Sequence, residues 1–132
     1  MKPLSLFTVL LAASGTNALV TNVPRKDVKC SGVSREFKSS DITNAGEGAL
    51  EHIDNPIGDR RYPHVYYFNR PDCGKTLYGF PLTWTIPYTG GSPGLVRAIF
   101  TFEYVGTTLA ARYCGTYAHR TSPNDNDFYI CD

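Results

Sequence analysis

Four cysteines constrain the fold of this chain more than any other feature. They stand at Cys30, Cys73, Cys114 and Cys131 of 132 residues, without a Cys-x-x-Cys pair. With no histidine at ligand spacing, a structural metal site is not expected. In a secreted domain, such cysteines predict two disulfides. Of three possible pairings we favour Cys30–Cys131, which ties the ends together, with Cys73–Cys114 inside it.

The first eighteen residues have the pattern of a signal peptide. Lys2 is a positive n-region, residues 4–13 form an apolar run, and Thr16-Asn17-Ala18 provides small residues near a cleavage site. The alternative, a membrane anchor, is disfavoured because the run is too short to span a bilayer. We therefore expect a secreted protein, with a signal peptide at 1–18 and one domain at 19–132.

The charge balance limits the classes of partner. Without Lys2, the 13 basic residues fall to 12, equal to the 12 acidic ones. This argues against a protein that holds nucleic acid by bulk charge alone. A local basic patch is still compatible with the sequence, because basic residues gather in its central half: Arg60, Arg61, Arg70, Lys75, Arg97 and Arg112.

The periodicity predicts one helix followed by strands. Ser39 or Ser40 is a suitable N-cap, Asn55-Pro56 ends the helix, and Gly46 and Gly48 predict close packing on a sheet. Its apolar face comprises Ile42, Ala45, Ala49, Leu50 and Ile53. A short strand is expected at Cys30. The later predicted strands are Pro63 to Asn69, Thr76 to Thr85, Leu95 to Val105, Leu109 to Tyr117 and Asp127 to Cys131. This order predicts an α+β fold, with one helix packed on a central antiparallel sheet.

An aromatic stretch in the first long strand is the candidate binding surface. Tyr62, His64 and Tyr66 are two residues apart, so in a strand they share a face. Val65 and Tyr67 would then point into the core. The three rings could stack on nucleic acid bases, although packing within the sheet is the more common use of strand aromatics.

Further motifs follow His64 in a fixed order. They are Phe80-Pro81, the turn Gly90-Gly91-Ser92-Pro93-Gly94-x-x-Arg97, and Cys131 after an aromatic strand, with Ser39-Ser40-Asp41 opening the helix upstream. Together with Tyr62-Pro63-His64 they resemble the small secreted fungal guanyl-specific ribonucleases. The resemblance covers about residues 39–131. It implies the microbial guanyl-specific ribonuclease-like version of the α+β fold.

The resemblance also implies a set of catalytic positions. These ribonucleases use a His on the first sheet strand, a Glu two residues before the Pro, an Arg after the Gly-rich turn and a late His. His64 and Arg97 match two of them. The Glu position falls on Gly79 and the late His position near Gly115. With both emptied, the protein is expected to be catalytically inactive, because general acid and base each contribute roughly 100- to 10,000-fold.

Two other residues are candidates to replace the missing acid and base. His119 lies four residues past Gly115, about 13 Å away if the chain is extended, and is expected to stay outside the site. Glu103 would lie about 20 Å from Arg97 along one strand. Arg70 stands where the ribonucleases have a carboxylate that grips the base. The expected remnant is a cleft for RNA at Tyr62, His64, Tyr66 and Arg97.

A secreted ribonuclease fold without its acid and base also resembles the ribonuclease-like effectors of cereal powdery mildew fungi. Their aromatic-x-Cys tripeptide is matched by Val28-Lys29-Cys30, with Val in place of the aromatic. The resemblance implies a monomeric effector delivered into host plant cells. There it would bind host proteins or RNA, and an intracellular immune receptor could detect it. No cofactor, metal or membrane partner is expected. The alternative is an active guanyl-preferring endoribonuclease using His64 with relocated partners, His119 among them.

Overall fold

A computed structural model describes residues 19–74, 76–84, 86–123 and 127–132. The predicted signal peptide lies outside these residues. The described elements are β1 (Val20–Thr21), α1 (Ser39–Glu51), β2 (His64–Tyr66), a 3-10 helix (Pro71–Cys73), β3 (Leu77–Pro81), β4 (Val96–Val105), β5 (Thr108–His119) and β6 (Phe128–Cys131). In this part of the chain, no helix combines the length and hydropathy needed to cross a membrane.

The strands form one sheet in the order β1-β5-β4-β3-β2, and β6 pairs with the end of β5. All pairs are antiparallel except β1 with β5, so the sheet is mixed. The α+β prediction is confirmed. The strand predicted at Cys30 is only an isolated bridge between Val28 and Phe37. The N-terminal strand lies earlier, at Val20–Thr21.

The start of α1 differs from the predicted serine cap. Ser39 is already helical, and Lys38 is the capping residue. The carboxylate of Asp41 accepts a hydrogen bond from the Lys38 backbone N–H at 2.8 Å, and the Ser39 hydroxyl donates to the Pro24 carbonyl. The acidic residue in the first turn therefore satisfies the free backbone donor, while the serine fastens an upstream loop.

One face of the sheet packs against α1, and we call this region the helix-side core. An added Cβ at Gly46 would lie 2.7 Å from Val20, and one at Gly48 would lie 2.8 Å from Phe80. The two glycines thus allow helix and sheet to approach closely, as predicted. The helix-side core also contains the Cys30–Cys131 disulfide and buried apolar residues including Phe37, Ile42, Ala49, Phe80, Ala98 and Phe100.

The opposite face carries a smaller apolar cluster around the second disulfide. Cys73, Cys114, Leu77 and Ile99 are buried there. Partly buried aromatic residues pack against them, namely Tyr66, Phe68 and Tyr117. The predicted pairings Cys30–Cys131 and Cys73–Cys114 are both confirmed. One disulfide therefore belongs to each face of the sheet.

Candidate functional site

Strand register assembles the site on the face away from α1. His64 pairs with Gly79, Gly79 with Ile99, and Ile99 with Gly115, so these residues form one row across β2 to β5. Arg97 lies one rung along, opposite Tyr117. Paired residues of a sheet share a face. The sheet therefore places His64 and Arg97 on the same face.

A cleft of about 630 Å³ opens on this surface. Its walls include Arg60, Tyr62, His64, Tyr66, His119 and Phe128. Aromatic rings dominate the lining, and cationic or titratable groups converge among them. A concave, largely aromatic site with a few polar groups is typical of ligand binding.

His64 is held between two tyrosine rings. Its ring centroid lies 4.7 Å from that of Tyr62 and 4.5 Å from that of Tyr66. The predicted shared surface of these three residues is thereby confirmed. The prediction that Val65 and Tyr67 enter the core is wrong, since they are 36% and 94% exposed. Strand β2 lies at the end of the sheet, and no described element buries its second face there.

The hydrogen bonding of His64 suits a proton acceptor. Its Nδ1 lies 2.9 Å from the Arg60 carbonyl, to which only a protonated nitrogen can donate. In the neutral ring, Nε2 is then left as the acceptor. Burial is the main cause that lowers the pKa of His64 below 6.5, and the nearby Arg97 charge acts in the same direction. His64 is therefore favoured in its neutral, basic form.

The nitrogen atoms of Arg97 differ in their hydrogen bonding: Nη1 binds the protein backbone, whereas Nε and Nη2 do not. Its side chain is fully buried. Nη1 donates to the carbonyls of Pro93, Gly94 and Val96, at 3.3, 2.9 and 3.0 Å, which fixes the Gly-rich turn. Within the described residues, Nε and Nη2 have no hydrogen-bond partner. Buried charged donors without partners are costly, so these two atoms indicate a place for an anion.

The structure corrects the placement of His119. It ends β5, is buried, and lines the same cleft as His64. Its ring centroid lies 4.2 Å from that of Phe128, and its charge lowers the pKa of His64. The expectation that it stays outside the site is wrong, because β6 pairs with β5 and extends that strand to His119, opposite Phe128. Its distance from Gly115 was the wrong measure of its distance from the cleft.

The two glycines at the expected catalytic positions do not leave holes. A Cβ added at Gly79 would lie 2.2 Å from the Tyr66 ring, and one at Gly115 would lie 2.8 Å from Arg70 Nη1. Gly115 also has a φ of +137°, which disfavours any side chain. Arg70 reaches across to the Tyr117 hydroxyl at 3.4 Å. Side chains from the segment after His64 thus cover both positions.

Phe68 completes the site and was not singled out from the sequence. Its ring stacks on Tyr117 with centroids 4.0 Å apart, and Tyr66 and Phe128 adjoin it at 5.5 and 5.1 Å. Phe68 could have been predicted from the sequence, since it continues the two-residue spacing of Tyr62, His64 and Tyr66. Among the described residues, no group of His, Cys, Asp or Glu side chains is arranged to hold a metal ion.

Comparison with known proteins identifies the family to which the chain belongs. A family model described as ribonuclease matches residues 24–132, most of the chain. The chain therefore belongs to the ribonuclease family. Its structure is similar to that of the ribonuclease from Hericium erinaceus, RNase He1, with 27% sequence identity and a TM-score of 0.51. The match covers 78% of this chain and 97% of that protein.

Proposed function

We propose that this cleft binds the phosphodiester backbone of RNA and cleaves it by attack of the neighbouring 2′-hydroxyl. One observation carries the proposal: His64 and His119 line one cleft of a ribonuclease fold, and the charge of the buried Arg97 acts on His64 from beneath it. Two imidazoles can divide the base and acid roles that this reaction needs. The absence of a carboxylate at Gly79 then removes one proton acceptor but not the whole acid/base pair.

Each group has one role in the proposed reaction. His64 Nε2 takes the proton of the 2′-hydroxyl while the 2′-oxygen attacks phosphorus. The bond from phosphorus to the 5′-oxygen breaks, and protonated His119 gives its proton to that oxygen. Arg97 Nε and Nη2 donate to the nonbridging oxygens as charge builds on them. The products are a 2′,3′-cyclic phosphate and a 5′-hydroxyl, and no other reactant is needed.

Cleavage of guanosine-containing RNA by the purified, refolded protein tests the proposal. We expect turnover by the wild type and a loss of at least about 100-fold in His64→Ala, because a general base is removed. His52→Ala is the matched control, since His52 caps the end of α1 away from the cleft and bonds Asn55. Turnover that survives unchanged in His64→Ala would contradict the proposal.

A second candidate is a secreted, non-enzymatic effector with a ribonuclease fold. It is favoured by Gly79, whose side-chain space Tyr66 occupies, and by Arg70 in the expected place of a base-gripping carboxylate. Such a protein would be delivered into host plant cells as a monomer, bind host proteins or RNA, and be open to detection by an intracellular immune receptor. Exposed loops such as residues 53–61 would carry that recognition.

The same assay separates the two candidates. The effector proposal predicts no turnover by the wild type, together with micromolar or weaker RNA binding that falls as salt rises. Binding would be lost in Arg97→Ala if the cleft is the site. Retained wild-type affinity in that variant would place RNA binding elsewhere on the protein. Swapping the loop at 53–61 would then test whether receptor recognition depends on that surface.

A further inference from the structure

Tyr66 occupies the space into which a side chain at position 79 would point. Three of its ring atoms, Cε2, Cδ2 and Cζ, lie 2.2, 2.6 and 3.2 Å from a Cβ built on Gly79. Real Cβ atoms are essentially never as close to a neighbour as the first two of these distances. Any side chain at this position therefore requires the tyrosine ring to move. Gly79 and Tyr66 behave as a pair in which only one residue can have a side chain in this space.

Contacts with several neighbours fix the position of the Tyr66 ring. Tyr66 is paired with Leu77 in the register of β2 and β3, and its ring leans along β3 onto Gly79. His64 packs on it at 4.5 Å, Phe68 lies parallel to it at 5.5 Å, and the edge of Phe128 contacts it at 5.5 Å. Rings packed on several sides fix the direction in which the hydroxyl points.

The hydroxyl of Tyr66 lies in the electrostatic field of Arg97. Burial raises the pKa of Tyr66 to about 12, and the Arg97 charge opposes that rise. The phenol is therefore protonated near neutral pH, so it can donate a hydrogen bond but cannot accept a proton as a base. Hydrogen bonding with Arg97 also opposes the rise, so the hydroxyl and the guanidinium are neighbours. Arg97 Nε and Nη2 are buried, and neither makes a hydrogen bond of ordinary geometry within the described part of the chain.

We propose that Tyr66 is a phosphate-binding residue whose hydroxyl, together with Arg97, donates hydrogen bonds to a nonbridging oxygen of an RNA phosphodiester. Gly79 is required because it makes room for this ring. The substitution at position 79 thus exchanges a proton acceptor for an additional anion donor, and His64 is left as the base. This inference rests on the proposed RNA-binding function and adds a residue to it.

Binding of a non-cleavable 2′-deoxy dinucleotide, and of inorganic phosphate, tests this role by titration calorimetry. Tyr66→Phe keeps the ring and removes the hydroxyl. We expect about tenfold weaker binding of both ligands, since hydrogen bonds to charged groups contribute about one such factor. Tyr104→Phe is the matched control, because Tyr104 is 72% exposed on β4 and does not line the cleft, and the affinity of this variant should equal that of the wild type.

A second variant keeps the proposal testable if Tyr66→Phe folds poorly. Gly79→Val displaces the ring without touching Arg97, and it should weaken both ligands at least as much. Equal binding by wild type and Tyr66→Phe would overturn this inference alone. Absence of binding by the wild type would overturn the proposed function as well. A cleavage rate that loses its acidic limb of pH dependence in Tyr66→Phe, the limb on which a base becomes protonated, would show that Tyr66 is a base and contradict the donor role.

Discussion

The two faces of the sheet bury different kinds of side chain. The helix-side core contains apolar side chains around Cys30–Cys131, with Gly46 and Gly48 letting α1 approach the strands. The cleft face buries a guanidinium and an imidazole, Arg97 and His119, among aromatic rings. The first face is stabilised by apolar contact. The second contains two buried donors, Arg97 Nε and Nη2, that have no hydrogen-bond partner among the described residues.

This difference means that the two faces contribute differently to the free energy of folding. An unpaired buried polar group costs roughly 1–3 kcal/mol, and more if it is charged. Such a cost persists at a site whose partner is a ligand rather than the protein. Arg97 shows both terms within one side chain, since Nη1 binds three carbonyls and Nε and Nη2 bind none of the described residues. Changes on the helix side should therefore alter stability, and changes on the cleft side should alter binding.

Removing one disulfide at a time should show the largest contrast. Cys30–Cys131 closes a separation of 101 residues and Cys73–Cys114 one of 41. The chain-entropy model gives losses of roughly 5 and 4 kcal/mol, respectively, in the free energy of unfolding. Paired Cys→Ala variants followed by guanidinium unfolding measure these values. RNA affinity, measured where both variants are folded, should fall only for the cleft-side pair. An equal loss of affinity in both variants would remove the contrast.

Two glycines offer a smaller and better matched comparison. Gly48 of α1 packs on Phe80 of β3, and Gly79, the residue before Phe80, faces the cleft: an added Cβ would lie 2.8 Å from Phe80 in the first case and 2.2 Å from Tyr66 in the second. Gly48→Val should lower the free energy of unfolding by roughly 1–3 kcal/mol through overpacking, and leave RNA affinity unchanged. Gly79→Val should have a smaller effect on stability, because Tyr66 is only partly buried, and should weaken RNA binding. The reverse pattern would mean that the faces are assigned wrongly.

The pH dependence of stability should show the smallest effect. Because burial lowers the pKa of His64 below 6.5, the unfolded chain binds more protons than the folded chain between the two pKa values. Stability due to neutral His64 is full above pH 6.5 and is lost as the pH falls through the folded pKa. Urea unfolding of His64→Gln across this range should give a shallower loss than the wild type. Identical slopes would show that His64 is not buried as a neutral ring.

The parts of the structure that follow from local sequence were predictable. Helix periodicity placed α1, and the widely spaced cysteines gave the correct disulfides. Two-residue spacing correctly joined Tyr62, His64 and Tyr66 on one surface. Local pattern also led to errors: it placed Val65 and Tyr67 in a core, although both are exposed and none of the elements described above covers them. Burial on an edge strand depends on the neighbouring layers, which a strand's own residues do not encode.

The position of His119 required tertiary information. Its distance from Gly115 along the strand suggested that it lay outside the site, whereas the pairing of β5 with β6 brings it to the cleft beside Phe128. Likewise, nothing in the order of residues indicates that Tyr66 fills the space over Gly79. In a sequence, a glycine shows only that a side chain is missing at that position. In the folded chain, a neighbouring side chain can fill the space that the missing side chain would have occupied, as Tyr66 does at Gly79.

A double-mutant cycle on RNA cleavage tests the central claim that His64 and His119 act as one acid/base pair. His64→Ala and His119→Gln would each be assayed for release of a 2′,3′-cyclic phosphate, alone and together. We predict that each single change lowers the rate by at least about 100-fold. The double variant should be little worse than either single one, because residues that act as a unit are not additive. Absence of wild-type cleavage, or cleavage indifferent to both changes, would contradict the account.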